Sequence, residues 1–467
     1  MESKYKLFQH QVKAINGCNL HPYRLIYRFP GTGKTLICIE LVKKQLTENP
    51  NSFILWLGPA NLIQQYQKVF TSMNMSFSQF NSKTEEIIKG SCIFSSYEMF
   101  RLHIDSFLKN EWDCVICDEF HRAKSNTTQI NNALKSLRGK SKHFWAFTGT
   151  PFQNSPYEFF ELINIVANKN LSFACEETLK YKRPKKSFFR SLLRKIGFHC
   201  NRLNQGPIIG VSNPARLHEL ISEFIDYIPP KQYISECHLP VIDEQIQRVK
   251  LDKSEVVSYE KILKSYRKKR EKEFFKDELS DEKIETSFNN LIELRQNLLS
   301  MDGKISSKIL TCSEDIIKVL KNKNNRVLVF SNFVKYGLEQ LAKVLKDKNV
   351  KFNPYDGNTP SSKRKKILSN YFSGEIPLML LSPVGFEGLD LYGTTHIFVL
   401  DPHFNPARTR QLVSRAIRAY SGVERIDICH YIAFSEELKN PCIDEVILKI
   451  SERKKNLAKM IEDCLSS

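Results

Sequence analysis

The sequence predicts an α/β protein of two parallel-sheet lobes with a helical, basic insertion between them. Three observations carry that prediction. Short apolar runs alternate with helical ones in two separate stretches, as βαβ units do. The runs lack a strict polar–apolar alternation, which suits parallel strands covered on both faces. Between the stretches, over residues 169–302, the texture turns charged. At 467 residues, 41% of them hydrophobic, the chain is too long for one compact core and has material for several interiors.

The first lobe is placed at 1–168. Its strand-like runs are "RLIYRF" (24–29), "SFILWLG" (52–58), "SCIFSS" (91–96), "DCVICD" (113–118) and "HFWAFTG" (143–149). The second lobe is placed at 303–467, with "NRVLVFS" (325–331), "IPLMLLS" (376–382), "HIFVLD" (396–401), "RIDICHYIA" (425–433) and a short C-terminal helix. In the insertion, "KYKRPKKSFFRSLLRK" (180–195) carries eight basic residues and no acid. That run reads as a polyanion-binding surface, a flexible loop or an import signal. The stretch 258–300 is free of Gly and Pro and reads as helical, its mixed charges a solvated face.

Lys and Arg number 70 against 51 Asp and Glu, a net charge of +19. An excess of that size favours a polyanionic partner, nucleic acid first and an anionic membrane surface second. No apolar run approaches the roughly 18–20 residues that span a bilayer, and "MESKYKLFQH" lacks the apolar core of a secretory signal. An intracellular site, cytoplasmic, nuclear or within a virion, is the expectation. Twelve scattered cysteines suit reduced thiols. Cys114 and Cys117 form a C-x-x-C inside a strand with no second pair at metal spacing, so no zinc is expected.

"FPGTGKTLICIEL" follows the first strand and opens a helix. Gly31 and Gly33 allow backbone conformations that turn successive N–H groups toward a phosphate. Lys34 can reach the β- and γ-phosphates, and the Thr35 hydroxyl can ligate Mg²⁺. The helix N-terminus adds its positive dipole end. The first glycine of the usual pattern is replaced by Arg28. Some 80 residues on, "VICDEFHRAKSN" ends an apolar strand in Asp118-Glu119. Alone, these acids read equally as solvated carboxylates. Beside a phosphate loop, Asp118 becomes a metal holder and Glu119 a residue that polarises attacking water.

Further motifs in order extend the pattern: "WDCVICDEFHRAKSN", "FTGTPFQNSPYEFFELINIV", "LLSPVGFEGLDL", "DPHFNPARTRQ" and "RQLVSRAIR". Together they resemble helicase superfamily 2, in its Swi/Snf-like ATPase branch near poxvirus-type nucleoside triphosphatases. The resemblance runs from about Leu7 to Ala433. It implies two RecA-like lobes, ATP and Mg²⁺ as cofactors, and a nucleic-acid-dependent ATPase. "LFQHQVKAI" resembles a Q-type motif, which puts Gln11 near the adenine; Gly31, Thr32, Gly33, Lys34, Thr35, Gly388 and Asp390 complete the implied nucleotide set. Arg415 and Arg418, three apart on one helical face, are implied arginine fingers, against a plain reading as surface arginines. Pro59, Asn61, Ser96, Tyr97, Ser331, Asn332 and Ser382 are implied backbone contacts to a strand. His121 couples the two sites, or is structural.

The implied function is a motor that translocates on double-stranded DNA, compact and viral in type, acting in transcription or genome handling. A polymerase or other protein is a candidate partner. A strand-separating DNA or RNA helicase is the alternative. A scaffold with a decayed ATPase is more distant, since Lys34, Asp118, Glu119, Arg415 and Arg418 are intact.

Overall fold

The computed structural model describes residues 7–81, 87–124, 128–152, 155–181, 208–234, 236–265, 291–301, 303–383, 389–418 and 421–466. Two parallel sheets organise them. Strands β1 (Tyr23–Tyr27), β2 (Phe53–Gly58), β3 (Phe77–Gln79), β4 (Ser91–Ser96), β5 (Trp112–Cys117), β6 (Ser141–Thr148) and β7 (Ile225–Tyr227) build the first, in the order β3-β4-β2-β5-β6-β1-β7. Strands β8 (Val241–Lys250), β9 (Val327–Phe330), β10 (Asn353–Tyr355), β11 (Leu378–Leu381), β12 (His396–Val399) and β13 (Arg425–Phe434) build the second, in the order β8-β13-β12-β9-β11-β10. Every pairing within both sheets is parallel.

The unalternating apolar runs have the physical cause that the sequence suggests. In β5, Val115 and Cys117 enter the core on one face of the sheet while Cys114 and Ile116 enter the other. Burial raises the pKa of both thiols, so Cys114 and Cys117 act as small core residues. β9 is likewise split, with Leu328 and Phe330 on one side and Val327 and Val329 on the other.

The 169–302 stretch feeds both lobes. Its β7 joins the first sheet beside β1, and its β8 joins the second beside β13. The basic cluster Lys182, Arg183, Lys185 and Lys186 lies outside the described residues. Among the described residues, no helix is long and apolar enough to cross a membrane, and no group of three or more His, Cys, Asp and Glu side chains is placed to hold a metal ion.

The helices that position the site are α1 (Gln9–Leu20), α2 (Lys34–Glu48), α3 (Ala60–Ser72), α4 (Tyr97–Leu102) and α5 (Pro406–Ala416). A last helix, α6 (Ile443–Ser466), runs 24 residues, about 36 Å at 1.5 Å per residue. Its start packs in the second lobe, with Ile443 and Ile447 against Ala433. Its end packs in the first, through Leu457, Ile461 and Cys464. Glu462 lies between the lobes, accepting from the Tyr27 hydroxyl and facing Arg410 of α5 at 3.6 Å.

α6 is anchored by a fully buried ion pair, Lys308 Nζ to Asp444 Oδ2 at 2.6 Å. Asp444 also accepts the Ala433 N–H at 3.1 Å. Removing one member strands a buried charge, so Lys308→Met should cost about 3–5 kcal/mol of stability. Denaturant unfolding measures it, and Lys308→Met with Asp444→Leu should recover part of the loss.

Candidate nucleotide site between the lobes

The phosphate loop leaves the carboxyl end of β1 and Asp118-Glu119 leaves that of β5, with β6 between them. Loops at the carboxyl ends of parallel strands are where α/β sheets place ligands. Gly31 (φ 80°) and Gly33 (φ 76°) are both left-handed, as a phosphate-cradling turn requires. Neither has room for a side chain. A Cβ at Gly31 would stand 2.5 Å from the Ile417 carbonyl oxygen of the second lobe, and one at Gly33 2.4 Å from Gln11 Nε2.

Gln11 is buried and spends its amide on the loop. It donates to the Thr32 carbonyl at 3.0 Å, and its own Oε1 accepts the Phe8 N–H at 2.9 Å. The Thr32 hydroxyl donates to Phe29 O at 2.7 Å, so both residues brace the loop. Arg28, the departure from the usual glycine, is also buried. Its guanidinium donates to the Asp226 carboxylate at 2.7 Å and the Asp226 carbonyl at 2.6 Å. The loop entry is thereby tied to β7, a bond no local motif reveals.

Lys34, Thr35, Asp118 and Glu119 line one cavity of about 240 Å³ with Gly149, Thr150 and, from the second lobe, Asp390, Gln411, Arg415 and Arg418. The cleft between lobes thus collects predicted ATP-site residues from both; Gln11 and Thr32 do not line it but are buried, and Gly388 lies outside the described residues. Gly149 sits close against the loop: a Cβ there would stand 3.1 Å from Lys34 Nζ and 3.2 Å from Pro30 Cγ.

The electrostatics follow from burial. Burial lowers the Lys34 ammonium's pKa, while Glu119 and Asp118 oppose the shift. Asp118 is buried and Glu119, beside it in sequence, is partly exposed; the two neighbouring carboxyls resist ionising together. Burial and the Glu119 charge push Asp118 up. Burial also acts upward on Glu119, but the His121 bond and charge, then Lys34 and Arg415, outweigh it and hold Glu119 ionised. Glu119 has a left-handed backbone, φ 49°, unusual for a residue with a side chain. Such strain, of order 1–3 kcal/mol, persists where the surroundings dictate it.

His121 connects the lobes. Gln411 Nε2 of the second lobe stands 3.3 Å from His121 Nε2, while His121 Nδ1 stands 3.3 Å from Glu119 Oε2 and 3.4 Å from Thr148 Oγ1. Gln411 was not anticipated from the sequence as a site residue, though it stands in "RQLVSRAIR". Tyr66 was not anticipated either. Its hydroxyl donates to Asp118 Oδ2 at 2.8 Å.

The two arginines differ. Arg418 is ion-paired to Asp390 and donates to the Ser414 carbonyl at 2.6 Å and the Ile417 carbonyl at 2.8 Å. Arg415 Nε is buried with no hydrogen-bond partner among the described residues.

The predicted strand contacts fall mostly inside. Tyr97 is fully buried and donates to the Asp118 carbonyl at 2.7 Å. Ser331 is buried and donates to Asp401 Oδ1 at 2.5 Å, and Asn332 Nδ2 donates to Asp401 Oδ2 at 2.6 Å. Ser96 caps α4 by accepting from the Met99 N–H, and Ser382 and Pro59 are buried. Asn61 alone of the seven is exposed.

The donor set suits a hard divalent cation. The buried Asp118 carboxylate, the partly exposed Glu119 beside it and the Thr35 hydroxyl are oxygen donors.

Comparison with known proteins places this geometry. The family described as "SNF2-related domain" matches residues 29–302. The chain belongs to the SNF2-related family. A "Helicase conserved C-terminal domain" matches residues 309–420. Membership makes the chain a nucleic-acid-dependent ATPase core of helicase superfamily 2, as the motifs imply. Similar relatives are the "DNA repair and recombination protein RAD54-like" of Drosophila mojavensis, 27% identical, and that of Drosophila erecta, 25% identical. Each similarity covers 93% of this chain and 59% of the relative, so the chain spans well under two thirds of their length. Among solved structures, the "Sulfolobus solfataricus SWI2/SNF2 ATPase core in complex with dsDNA" is similar at 18% identity and TM-score 0.43, over 98% of this chain and 94% of that one.

Proposed function

We propose that this SNF2-related core is a motor that hydrolyses ATP to ADP and phosphate to translocate along double-stranded DNA. The observation that carries the reading is the composite cleft. Lys34, Asp118 and Glu119 come from one lobe and Gln411, Arg415 and Arg418 from the other, around one cavity. Hydrolysis then depends on lobe alignment, and a cycle of alignment and release moves the lobes along a bound duplex. Thr35 and Asp118 would hold Mg²⁺, which would supply positive charge to offset that of the phosphates. Asn61, exposed at the start of α3, and the backbone around Pro59, Ser96, Tyr97, Ser331, Asn332 and Ser382 belong to the track. The +19 charge supports sequence-independent, salt-sensitive binding.

The domain limits proposed are 1–168, 169–302 and 303–467, the middle segment lending β7 to the first sheet and β8 to the second. The ending Ala419-Tyr420-Ser421 after Arg418 supports a viral-type motor in genome handling or transcription, within a cytoplasm, nucleus or virion and beside a polymerase or similar partner.

The test is steady-state ATP hydrolysis without nucleic acid and with double-stranded DNA, single-stranded DNA or RNA, with Lys34→Ala as control. Stimulation chiefly by duplex, followed by triplex displacement, is the expected result. Stimulation by single strands or RNA, with unwinding, would replace the translocase by a helicase. No hydrolysis under any condition would overturn both.

A further inference from the structure

Tyr66 lies on α3, 52 residues before Asp118 in sequence, and is nearly fully buried. Its ring packs against Trp56, centroids 4.9 Å apart, and is stacked against Phe94 at 5.9 Å. Gly58, at the end of β2, makes room for it: a Cβ there would stand 2.9 Å from Tyr66 Cε2. A phenylalanine ring would fill that space equally well. The hydroxyl therefore needs a separate reason, and it has one. It donates to Asp118 Oδ2 at 2.8 Å, while Asp118 Oδ1 accepts the Glu119 N–H at 2.9 Å. One donor on each oxygen fixes the plane and direction of the carboxylate. Tyr66 itself lines the cavity that Asp118 shares with Thr35 and Lys34.

We propose that Tyr66 is a positioning residue for the metal site, its hydroxyl holding the Asp118 carboxylate in the orientation that receives a divalent cation. The inference rests on the reading of Asp118 as a metal holder. Partners that orient a ligating carboxylate commonly contribute 10–100-fold to metal affinity. Oriented by one hydroxyl, Asp118 is prepared before the cation arrives, and the ordering cost is met by folding. The same helix begins at Pro59-Ala60-Asn61, so the exposed Asn61 and the metal site share one rigid rod, about one and a half turns apart.

The test uses the full chain and Tyr66→Phe, which keeps the packing and removes one oxygen. A fluorescent, slowly hydrolysed ATP analogue is titrated in EDTA and then at stepped Mg²⁺, with ATP hydrolysis followed over the same Mg²⁺ series. We expect affinity in EDTA within about twofold of wild type, and a Mg²⁺ midpoint raised about tenfold in both binding and turnover. The rate should recover at saturating Mg²⁺. An unchanged Mg²⁺ midpoint, with wild type responding to Mg²⁺, would overturn the inference and leave the site reading intact. A fall in EDTA affinity and in melting temperature without a moved midpoint would also overturn it, since that is a packing defect. A wild-type chain indifferent to Mg²⁺ would overturn the site reading, and the inference with it.

Discussion

Glu119→Gln should lower ATP turnover about a thousandfold, in the range a general base contributes, while nucleotide affinity stays within about threefold. The amide matches the carboxylate in size, and glutamine bears the same left-handed backbone cost at φ 49°, so stability should not move. What is lost is the ionised oxygen that His121 Nδ1 faces at 3.3 Å and that Lys34 and Arg415 help keep ionised. The binding side of the cleft does not use that oxygen. Its phosphate cradle is the Gly31–Thr35 backbone, braced by Gln11 and Thr32. Lys34→Ala provides the contrast, because it removes the buried ammonium meant for the phosphates and should weaken binding itself. Single-turnover hydrolysis and equilibrium nucleotide titration on both variants separate the two roles. Equal loss of binding in both would remove Glu119 from the chemistry and make it a ligand.

The motifs were legible because their chemistry is local. A glycine pair, a lysine and a threonine at fixed spacing identify a phosphate loop wherever it folds, and a buried strand ending in two acids needs no long-range knowledge. The strongly apolar strands were legible for a similar reason. Of the strands in the two large sheets, those not read from the sequence are β3, β7, β8 and β10, three of them only three residues long. β8 is long, yet it reads Val-Ile-Asp-Glu-Gln-Ile-Gln-Arg-Val-Lys and is largely exposed as an edge, so its pattern carries little core signal.

What stayed hidden depends on pairings between distant segments. Arg28 looked like a defect in a glycine pattern, and only the return of β7, 198 residues later, supplies its carboxylate partner. Tyr97 and Ser331 were read as facing a strand of nucleic acid. Which way a side chain points at a strand end is decided by the neighbouring strand, and here Asp118 and Asp401 draw both hydroxyls inward. α6 shows the same limit at larger scale. Its apolar spacing announces a helix face, but nothing in it says that one end will pack on each lobe.

Arg415→Ala should reduce turnover about a thousandfold, at the lower end of what a finger arginine contributes, with ATP binding nearly unchanged. Arg418→Ala should cost clearly less. The motif treats these arginines alike, but their surroundings differ. Arg418 already answers the Asp390 charge and two backbone carbonyls, so redirecting it toward a phosphate means breaking those bonds. Arg415 has a buried Nε without a partner among the described residues, and its charge is felt by both Lys34 and Glu119 across the cleft. A buried donor left unmade is costly, of order 1–3 kcal/mol, and persists where a ligand completes it. The cavity is where such completion is available, because Arg415 lines it with Lys34 and Glu119. Rates at saturating ATP and duplex DNA, with nucleotide affinity measured separately, test the ranking. If Arg418→Ala proves the more damaging, its pair with Asp390 is a resting position, and the working finger is the arginine that must first be released.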